Sequence, residues 1–290
     1  MRKYDVLVVD LDGTLLGSDG SVSVRNIKAM QKARDAGMEV IVATGRTWAE
    51  CGEAIRATQM PANGLVICAG GSLMCEAGTG RTIERKAMQS DVVREVVSML
   101  VDDAHRALVL KDRHAVGYDY LLVGSADLDA ASKWWFKKMP VEVRTVGSIE
   151  EDEHPEDSIR AGAVACRSRL SPLAGRMKEL MSDRAAMQHW SAVTESEAVG
   201  ATTHLLEVFH KDVNKWTMVS AWCGRSGIDT LRVAAIGDGL NDVELVANAG
   251  LGIAMGNSID EVRRVAKKTV ADHDADGAAE AIERIVLGEW

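Results

Sequence analysis

The chain has 290 residues, 47% of them hydrophobic and 27% charged, which is typical of a soluble globular protein with enough apolar residues for one large or two ordinary domains. Its 34 basic and 43 acidic residues give a net charge of −9, which argues against a nucleic-acid-binding surface, because such surfaces are basic. An acidic protein that bound anionic phosphates would need a local positive site.

The cysteines and the lengths of the apolar segments indicate the cellular compartment in which the protein is expected. No apolar run is long enough to cross a bilayer, and the first residues lead into a strand without the apolar segment and cleavage site of a signal peptide. The five cysteines form no Cys-x-x-Cys pair, so the sequence predicts neither a disulfide framework nor a zinc site. These cysteines are Cys51, Cys68, Cys75, Cys166 and Cys223. We expect a cytoplasmic protein with no membrane or nucleic-acid partner.

The first strand ends in two acidic residues. The run Tyr4 to Val9 is continuously apolar apart from Asp5, which predicts a strand buried on both faces in a parallel sheet covered by helices. Asp10 and Asp12 follow at its carboxyl end, the edge at which open α/β sheets bind ligands. The next residues, Gly13-Thr14, supply a tight turn and a hydroxyl.

A second buried strand, Met38 to Ala43, ends in Thr44-Gly45-Arg46. A helix is predicted to begin near Trp48, so a hydroxyl, a flexible glycine and an arginine face its amino terminus. This arrangement suits an anion cradle. An ordinary strand-to-helix turn capped by threonine explains it equally well, and these residues alone leave both interpretations open.

From about Ile83 the pattern changes to short strands mixed with helices, which predicts an α+β module distinct from the long-stranded core. The helices are expected at 90–102, 128–139 and 172–183, and the strands at 107–110, 115–118, 141–146 and 161–166. An acidic run at 150–157 is interpreted as a solvated loop in preference to a cation site, because nothing fixes its geometry.

The core pattern resumes at Thr203, and a further buried strand at 232–236 ends in Gly237-Asp238-Gly239-Leu240-Asn241-Asp242. The glycines permit a tight exit from the strand, and Asp238 is placed to reach a divalent cation. A helix-loop-helix calcium site is excluded because the run lacks the alternating ligands, central glycine and closing glutamate of such loops, and because it follows a strand.

Four runs, in this order, resemble the motifs of the haloacid dehalogenase-like hydrolase superfamily, in the version of its Cof-type phosphatases with a large inserted cap. They are Asp10–Thr14, Ala43–Arg46, Glu207–Lys215 and Gly237–Asp242. The third departs from the family pattern, with His210 for proline and Asp212 and Trp216 for glycines, and Gly70 stands where relatives have asparagine. When the third run is aligned with the family motif in this way, Lys215 corresponds to the lysine of the motif. Lys211 is expected to be an exposed lysine outside the site.

The resemblance implies an α/β fold in which a doubly wound, parallel-sheet, Rossmann-like core carries an inserted α+β cap. The expected core comprises residues 1–82 and 203–290, and the substrate-specificity cap comprises residues 83–202. The sequence predicts no particular oligomeric state.

The resemblance also implies an enzyme: a Mg²⁺-dependent phosphatase that hydrolyses small-molecule phosphate monoesters, with sugar phosphates the expected class, through an aspartyl-phosphate. The implied catalytic residues are Asp10, Asp12, Thr44 and Lys215. The implied metal ligands are Asp10, the main-chain carbonyl of Asp12, and Asp238, with Asp242 in a supporting role. Substrate contacts are assigned to Gly45, Arg46 and Asn241.

Two alternatives stay open. A phosphotransferase or phosphomutase would use the same aspartyl-phosphate but pass it to a second hydroxyl, and a non-catalytic phospho-acceptor or binding module would be phosphorylated for signalling. Several residues of the middle module are candidates for a sugar or cofactor pocket: Arg113, His114, Tyr118, Tyr120, Trp134 and Trp135. For the aromatic run Trp134 to Phe136, packing against the sheet is the favoured interpretation.

Overall fold

A computed structural model describes residues 3–181, 183–191 and 203–290. The chain divides into two compact units. The core unit contains the residues up to 84 and from 214 onward, and the inserted unit contains residues 85–213. No helix in the described ranges is both long enough and apolar enough to cross a membrane.

Strands and helices are numbered separately in chain order. The strands are β1 (Val6–Asp10), β2 (Glu39–Ala43), β3 (Leu65–Cys68), β4 (Leu73–Glu76), β5 (Thr82–Arg85), β6 (Ala107–Lys111), β7 (Tyr120–Val123), β8 (Val143–Val146), β9 (Ser158–Cys166), β10 (Ala185–Ser191), β11 (Thr203–His210), β12 (Val233–Gly237), β13 (Leu251–Ala254) and β14 (Lys268–Thr269). The helices are α1 (Val24–Asp35), α2 (Trp48–Ala57), α3 (Ser90–Asp102), α4 (Arg113–Val116), α5 (Ala130–Lys138), α6 (Arg167–Met181), α7 (Lys215–Ser226), α8 (Val243–Asn248), α9 (Asp260–Val265) and α10 (Gly277–Val286).

The core unit is built on an eight-stranded sheet of order β14-β13-β12-β1-β2-β3-β4-β5. The strands from β14 to β3 pair in parallel, and β4 pairs antiparallel with β3. All five residues of β1 are buried, as expected for a central strand covered on both faces. Helices α7 and α8 cover the face that carries Val6 and Val8, while α1 packs on β2 and on α10. The predicted doubly wound α/β core is confirmed.

The inserted unit has a six-stranded sheet of order β10-β11-β9-β6-β7-β8, in which only β7 and β8 pair in parallel. Helices α3 and α6 bury their apolar residues against one face of this sheet. On α5, the rings of Trp135 and Phe136 meet the Tyr120 ring edge-on, with centroids 5.5 Å apart in both pairs. These contacts support packing as the role of that aromatic run.

One short element of the inserted unit differs from the sequence prediction. A strand was expected at 115–118, but the chain forms α4 there and the strand β7 follows it. The Asp112 carboxylate accepts a hydrogen bond from the His114 N–H, which caps the short helix. Gly117 then ends it in the left-handed conformation, with φ at +83°. Local capping therefore overrides the strand preference of the apolar residues.

The boundaries between the units also differ from those expected. Along the chain, the boundaries between the compact units fall after residues 84 and 213, whereas the sequence analysis placed them after residues 82 and 202. The second boundary moves because β11 lies between β10 and β9 and pairs antiparallel with both. Residues 203–213 therefore belong to the inserted unit, and the core resumes at Asn214.

A buried asparagine connects three parts of the core unit. The Asn26 side chain, 1% exposed, donates to the Leu15 carbonyl oxygen at 3.1 Å and accepts from the Ala279 N–H at 2.9 Å. These bonds fasten α1 to the loop after β1 and to the start of α10. The Leu15 carbonyl and the Ala279 N–H thus each have a hydrogen-bond partner, as buried backbone groups require.

We predict that Asn26→Ala lowers the free energy of unfolding by about 2 to 4 kcal/mol, because two buried backbone groups lose their partners. Urea denaturation of the purified protein measures this change. The matched variant Asn248→Ala alters an exposed helix residue and should stay within about 0.5 kcal/mol of wild type. Equal stability of the two variants would contradict the proposed role of Asn26.

Candidate active site

The candidate site is formed by segments that follow neighbouring strands. Because β2, β1 and β12 are adjacent and parallel, their carboxyl ends lie at one edge of the sheet. Asp10 ends β1, Thr44 follows β2, and Asp238 follows β12. Helix α7 contributes its first residue, Lys215.

Lys215 is completely buried between two carboxylates. Its ammonium donates to Asp10 Oδ1 through a short contact and to Asp242 Oδ1 at 2.7 Å. The Asn214 side chain caps α7 by accepting from the Thr217 N–H. The substitutions that flank this lysine in sequence, Asp212 and Trp216, therefore do not displace it from Asp10.

A glycine that the sequence analysis did not identify makes room for this helix start. Gly71 has φ at +111°, a conformation that side chains disfavour. A Cβ at this position would overlap the Asn214 carbonyl, immediately before Lys215. Of the two adjacent glycines, the sequence analysis singled out only Gly70, because no local signal marks a glycine that must lie against α7.

Three carboxylates lie together at this edge. Oxygen atoms of Asp10, Asp238 and Asp242 are all within 4.8 Å of one another. The Thr14 hydroxyl donates to Asp238 Oδ1 at 2.9 Å. Asp242 Oδ2 accepts from the backbone N–H groups of Asp238 and Gly239 at 3.1 and 3.0 Å, so it fixes the loop that carries Asp238.

The charge of this cluster suits a divalent cation. Burial raises the pKa of the Asp10 carboxyl and the neighbouring Asp242 raises it further, while Lys215 opposes the shift. Burial also raises the pKa of Asp238 to about 6, although a hydrogen bond from Thr14 partly opposes this increase. Burial alone would lower the pKa of Lys215, but Asp10 and Asp242 raise it, so the lysine is charged. The three clustered carboxylates are oxygen donors of the kind that a hard divalent ion prefers. The single ammonium of Lys215 offsets only part of their negative charge.

The second acidic residue of the first motif has a different environment. Asp12 is half-exposed and pairs with Arg46, whose Nε donates to Asp12 Oδ2 at 3.0 Å while Nη2 contacts Oδ1. The Thr44 hydroxyl lies 3.5 Å from the same Oδ2 and accepts from the Arg46 N–H at 3.1 Å. Asp12 is therefore accessible, whereas Asp10 is enclosed.

The remaining residues expected to contact substrate also lie near this edge. A Cβ added to Gly45 would come 3.4 Å from Asn241 Nδ2, so the turns after β2 and β12 approach each other here. The site thus gathers nine residues selected from the sequence, all of them in the core unit: Asp10, Asp12, Thr44, Gly45, Arg46, Lys215, Asp238, Asn241 and Asp242. Thr14 was noted in the sequence only for its hydroxyl, and its bond to Asp238 was not anticipated.

Comparison with known proteins decides the family. A family model described as haloacid dehalogenase-like hydrolase matches residues 7–282. The chain belongs to this family. A solved haloacid dehalogenase-like hydrolase from Bacteroides thetaiotaomicron has a similar fold, with a TM-score of 0.77 and 23% identity over 97% of this chain and 99% of that one. The predicted membership of the superfamily is therefore confirmed.

Two relatives of this hydrolase are named as phosphatases. The chain is 26% identical to 5-amino-6-(5-phospho-D-ribitylamino)uracil phosphatase YcsE of Bacillus subtilis, over 97% of this chain and 96% of the relative. It is 24% identical to pyridoxal phosphate phosphatase YbhA of Escherichia coli, over 96% of this chain and 97% of the relative. Together with the family match, these relatives confirm the predicted enzyme class, a phosphatase.

Protons and a metal ion should compete for the carboxylate cluster of the hydrolase. We predict that affinity for a divalent cation falls as the pH drops through about 6, where Asp238 takes up a proton. The decline should approach about tenfold per pH unit for each competing proton. Titration with Mn²⁺ at a series of pH values measures it. Asp238→Asn should bind more weakly and lose the inflection near pH 6, and a constant wild-type affinity across that range would contradict the prediction.

Removing the buried ammonium should destabilise the protein in a pH-dependent way. In EDTA, we expect Lys215→Met to cost about 3 to 5 kcal/mol near neutral pH, because Asp10 and Asp242 lose their shared partner. Asp10, whose pKa is raised by burial, binds more protons in the folded state than in the unfolded state, so the folded variant loses stability as the pH rises. Its deficit relative to wild type should therefore be larger at about pH 8 than at about pH 5.

Urea denaturation at both pH values tests this expectation. The matched variant Lys211→Met removes an exposed lysine four positions earlier and should change stability by less than about 0.5 kcal/mol at either pH. A Lys215→Met deficit that does not vary with pH would show that the carboxylates are not the source of the loss.

Proposed function

We propose that this hydrolase releases phosphate from small-molecule phosphate monoesters with the help of Mg²⁺, through an aspartyl-phosphate formed on Asp10. The observation that carries the proposal is the fully buried Lys215, whose ammonium contacts Asp10 beside a cluster of carboxylates. An anionic nucleophile and a phosphate ester repel each other, so the reaction needs fixed positive charge close to the nucleophile. Lys215 supplies one such charge.

The second positive charge is assigned to Mg²⁺. In the proposal the ion is held by the Asp10 and Asp238 carboxylates and by the main-chain carbonyl of Asp12. Thr14 holds Asp238 from one side, and Asp242 supports the site by binding Lys215 and the backbone at 238–239. When bound, the ion offsets the negative charge of the phosphoryl oxygens.

In the first step, a carboxylate oxygen of Asp10 bonds to phosphorus and the bond between phosphorus and the leaving oxygen breaks. Protonated Asp12 gives its proton to that oxygen, so the product leaves as a neutral alcohol. The accessibility of Asp12 supports this role, since a general acid must reach the leaving group. Buried Asp10, aligned by Lys215, is suited to the role of nucleophile.

In the second step, the Asp12 carboxylate takes a proton from water as the water oxygen attacks phosphorus. The bond from phosphorus to Asp10 breaks, inorganic phosphate leaves, and the Asp10 carboxylate and protonated Asp12 are restored. Arg46 contacts both carboxylate oxygens of Asp12, which supports a fixed orientation of this side chain during the step.

The remaining assignments concern the phosphoryl oxygens and the substrate. We assign Thr44 and Lys215 to the phosphoryl oxygens, and Gly45, Arg46 and Asn241 to substrate contacts. These assignments are supported by the position of the residues at the same sheet edge as Asp10. The side chains of Thr44 and Arg46 both contact the Asp12 carboxylate. The inserted unit is proposed as the cap that selects the leaving group.

Sugar phosphates are the proposed substrate class. The relatives named for their substrates act on a phosphorylated ribitylamino uracil and on pyridoxal phosphate. The ribityl group is a sugar alcohol, so its phosphate ester is chemically similar to a sugar phosphate. We also propose a cytoplasmic location, which the five unpaired cysteines support, because thiols persist in reducing compartments.

The test is phosphate release from a panel of sugar phosphates, phosphorylated ribitylamino uracil and pyridoxal phosphate, with Mg²⁺ and with EDTA. We expect Mg²⁺-dependent release that falls at least about a thousandfold in Asp10→Asn, because the amide cannot serve as the nucleophile. Asp19→Asn makes the same chemical change at an exposed position in the following loop and should retain full activity.

The outcomes separate the alternatives. An active Asp10→Asn enzyme would contradict the aspartyl-phosphate. Transfer of phosphate to an added acceptor sugar in place of release would indicate a phosphotransferase or phosphomutase. Binding of Mg²⁺ without turnover of any ester would leave the non-catalytic phospho-acceptor module.

A further inference from the structure

One amide side chain of the core unit bridges three loops around the carboxylate cluster. Asn257 lies between β13 and α9 and is partly buried. Its Nδ2 donates to the Gly13 carbonyl oxygen at 2.8 Å and lies 3.4 Å from Asp238 Oδ2. Its Oδ1 accepts from the His273 N–H at 3.1 Å. The bridge therefore joins the loops after β1, β12 and β14.

The orientation of this amide is dictated by its partners. A backbone carbonyl only accepts and a backbone N–H only donates. The Asn257 oxygen must therefore face His273, and its NH₂ group must face Gly13 and Asp238. Only a side chain with both a donor and an acceptor satisfies the two backbone partners together.

The NH₂ group of Asn257 lies where it helps to fix Asp238. Thr14 donates to Asp238 Oδ1 at 2.9 Å, and Asn257 faces the other oxygen, Oδ2. The Asp238 carboxylate also packs closely against Gly13 in the loop after β1. A Cβ added at Gly13 would overlap Asp238 Oδ2. The carboxylate is thus bounded by a hydroxyl, an amide and a glycine.

A second contact braces the same loops without Asn257. The Ser18 N–H and hydroxyl donate to the two carboxylate oxygens of Asp274, at 2.8 and 2.6 Å. This contact keeps the segment after β1 attached to the loop before α10. Loss of the Asn257 amide should therefore disturb the carboxylate cluster more than it disturbs the fold.

We propose that Asn257 is a positioning residue that sets the metal affinity of the site, by fixing the turn at Gly13 and the orientation of the Asp238 carboxylate. The inference rests on the proposed function, in which Asp238 is a metal ligand. Residues that hold a metal-binding side chain in place typically change metal affinity by 10- to 100-fold when they are removed.

The test measures metal binding directly. Mn²⁺ is titrated into metal-free Asn257→Ala and Asn257→Leu, and free Mn²⁺ is followed by electron paramagnetic resonance, with displacement by Mg²⁺. We expect the dissociation constant to rise about 10- to 100-fold in both variants. Leu fills the volume of the amide without its polar atoms, so agreement between the variants excludes a simple cavity effect. Asn248→Ala, at an exposed position at the end of α8, should bind Mn²⁺ as wild type does.

A second measurement separates positioning from general damage. At saturating Mg²⁺, the KM of both variants for the best ester of the panel should stay within about twofold of wild type, because the substrate contacts are intact. Circular dichroism in EDTA checks that the variants are folded.

Wild-type Mn²⁺ affinity in folded variants would overturn the inference, and so would loss of the folded state in both variants, which would make the role of Asn257 structural. Absence of metal binding by the wild-type protein would overturn it as well. If the wild type binds Mn²⁺ but hydrolyses no ester, the proposed function fails, while a weaker affinity in the variants still supports the inference.

Discussion

The structure of the site depends on one buried contact, the Lys215 ammonium between Asp10 and Asp242. Folding brings three acidic side chains to the edge where β1 and β12 end, and buried like charges repel each other strongly. A buried ammonium offsets part of that repulsion, and helix α7 must begin where its first residue can supply the charge. The close approach of Gly71 to the start of α7 follows from that requirement.

The two aspartates of the first motif show how neighbouring carboxylates acquire different properties. Asp10 belongs to the buried strand β1 and has a raised pKa, whereas the side chain of Asp12, two residues later, is half-exposed and pairs with Arg46. Carboxylates in unlike environments suit unlike roles in acid–base and nucleophilic catalysis. A nucleophile benefits from a fixed, enclosed position, while an acid that serves a departing group needs access to it.

The sequence predicted the core sheet well, because buried strands have local signals, and the structure brings the candidate site residues to one edge of that sheet. Apolar runs such as Val6 to Val9 mark buried strands, and parallel neighbours place their carboxyl ends together. Long-range pairing gave no such signal. The β11 strand reads as the resumption of the core, yet it hydrogen-bonds to β9 and β10. The contacts of Thr14 with Asp238 and of Asn257 with Gly13 were missed for the same reason, since each joins residues more than 200 positions apart in the chain.

The location of the candidate catalytic residues limits what they can select. The nine candidate site residues all lie in the core unit. In the proposed mechanism the catalytic residues act on the phosphoryl group, which is chemically the same in every phosphate monoester. Contacts with a common group bind all esters about equally and cannot distinguish one leaving group from another. Selection must therefore come from contacts with the remainder of the substrate. In the proposed mechanism, therefore, the carboxylate cluster and Lys215 determine the reaction, and substrate identity depends on residues outside them.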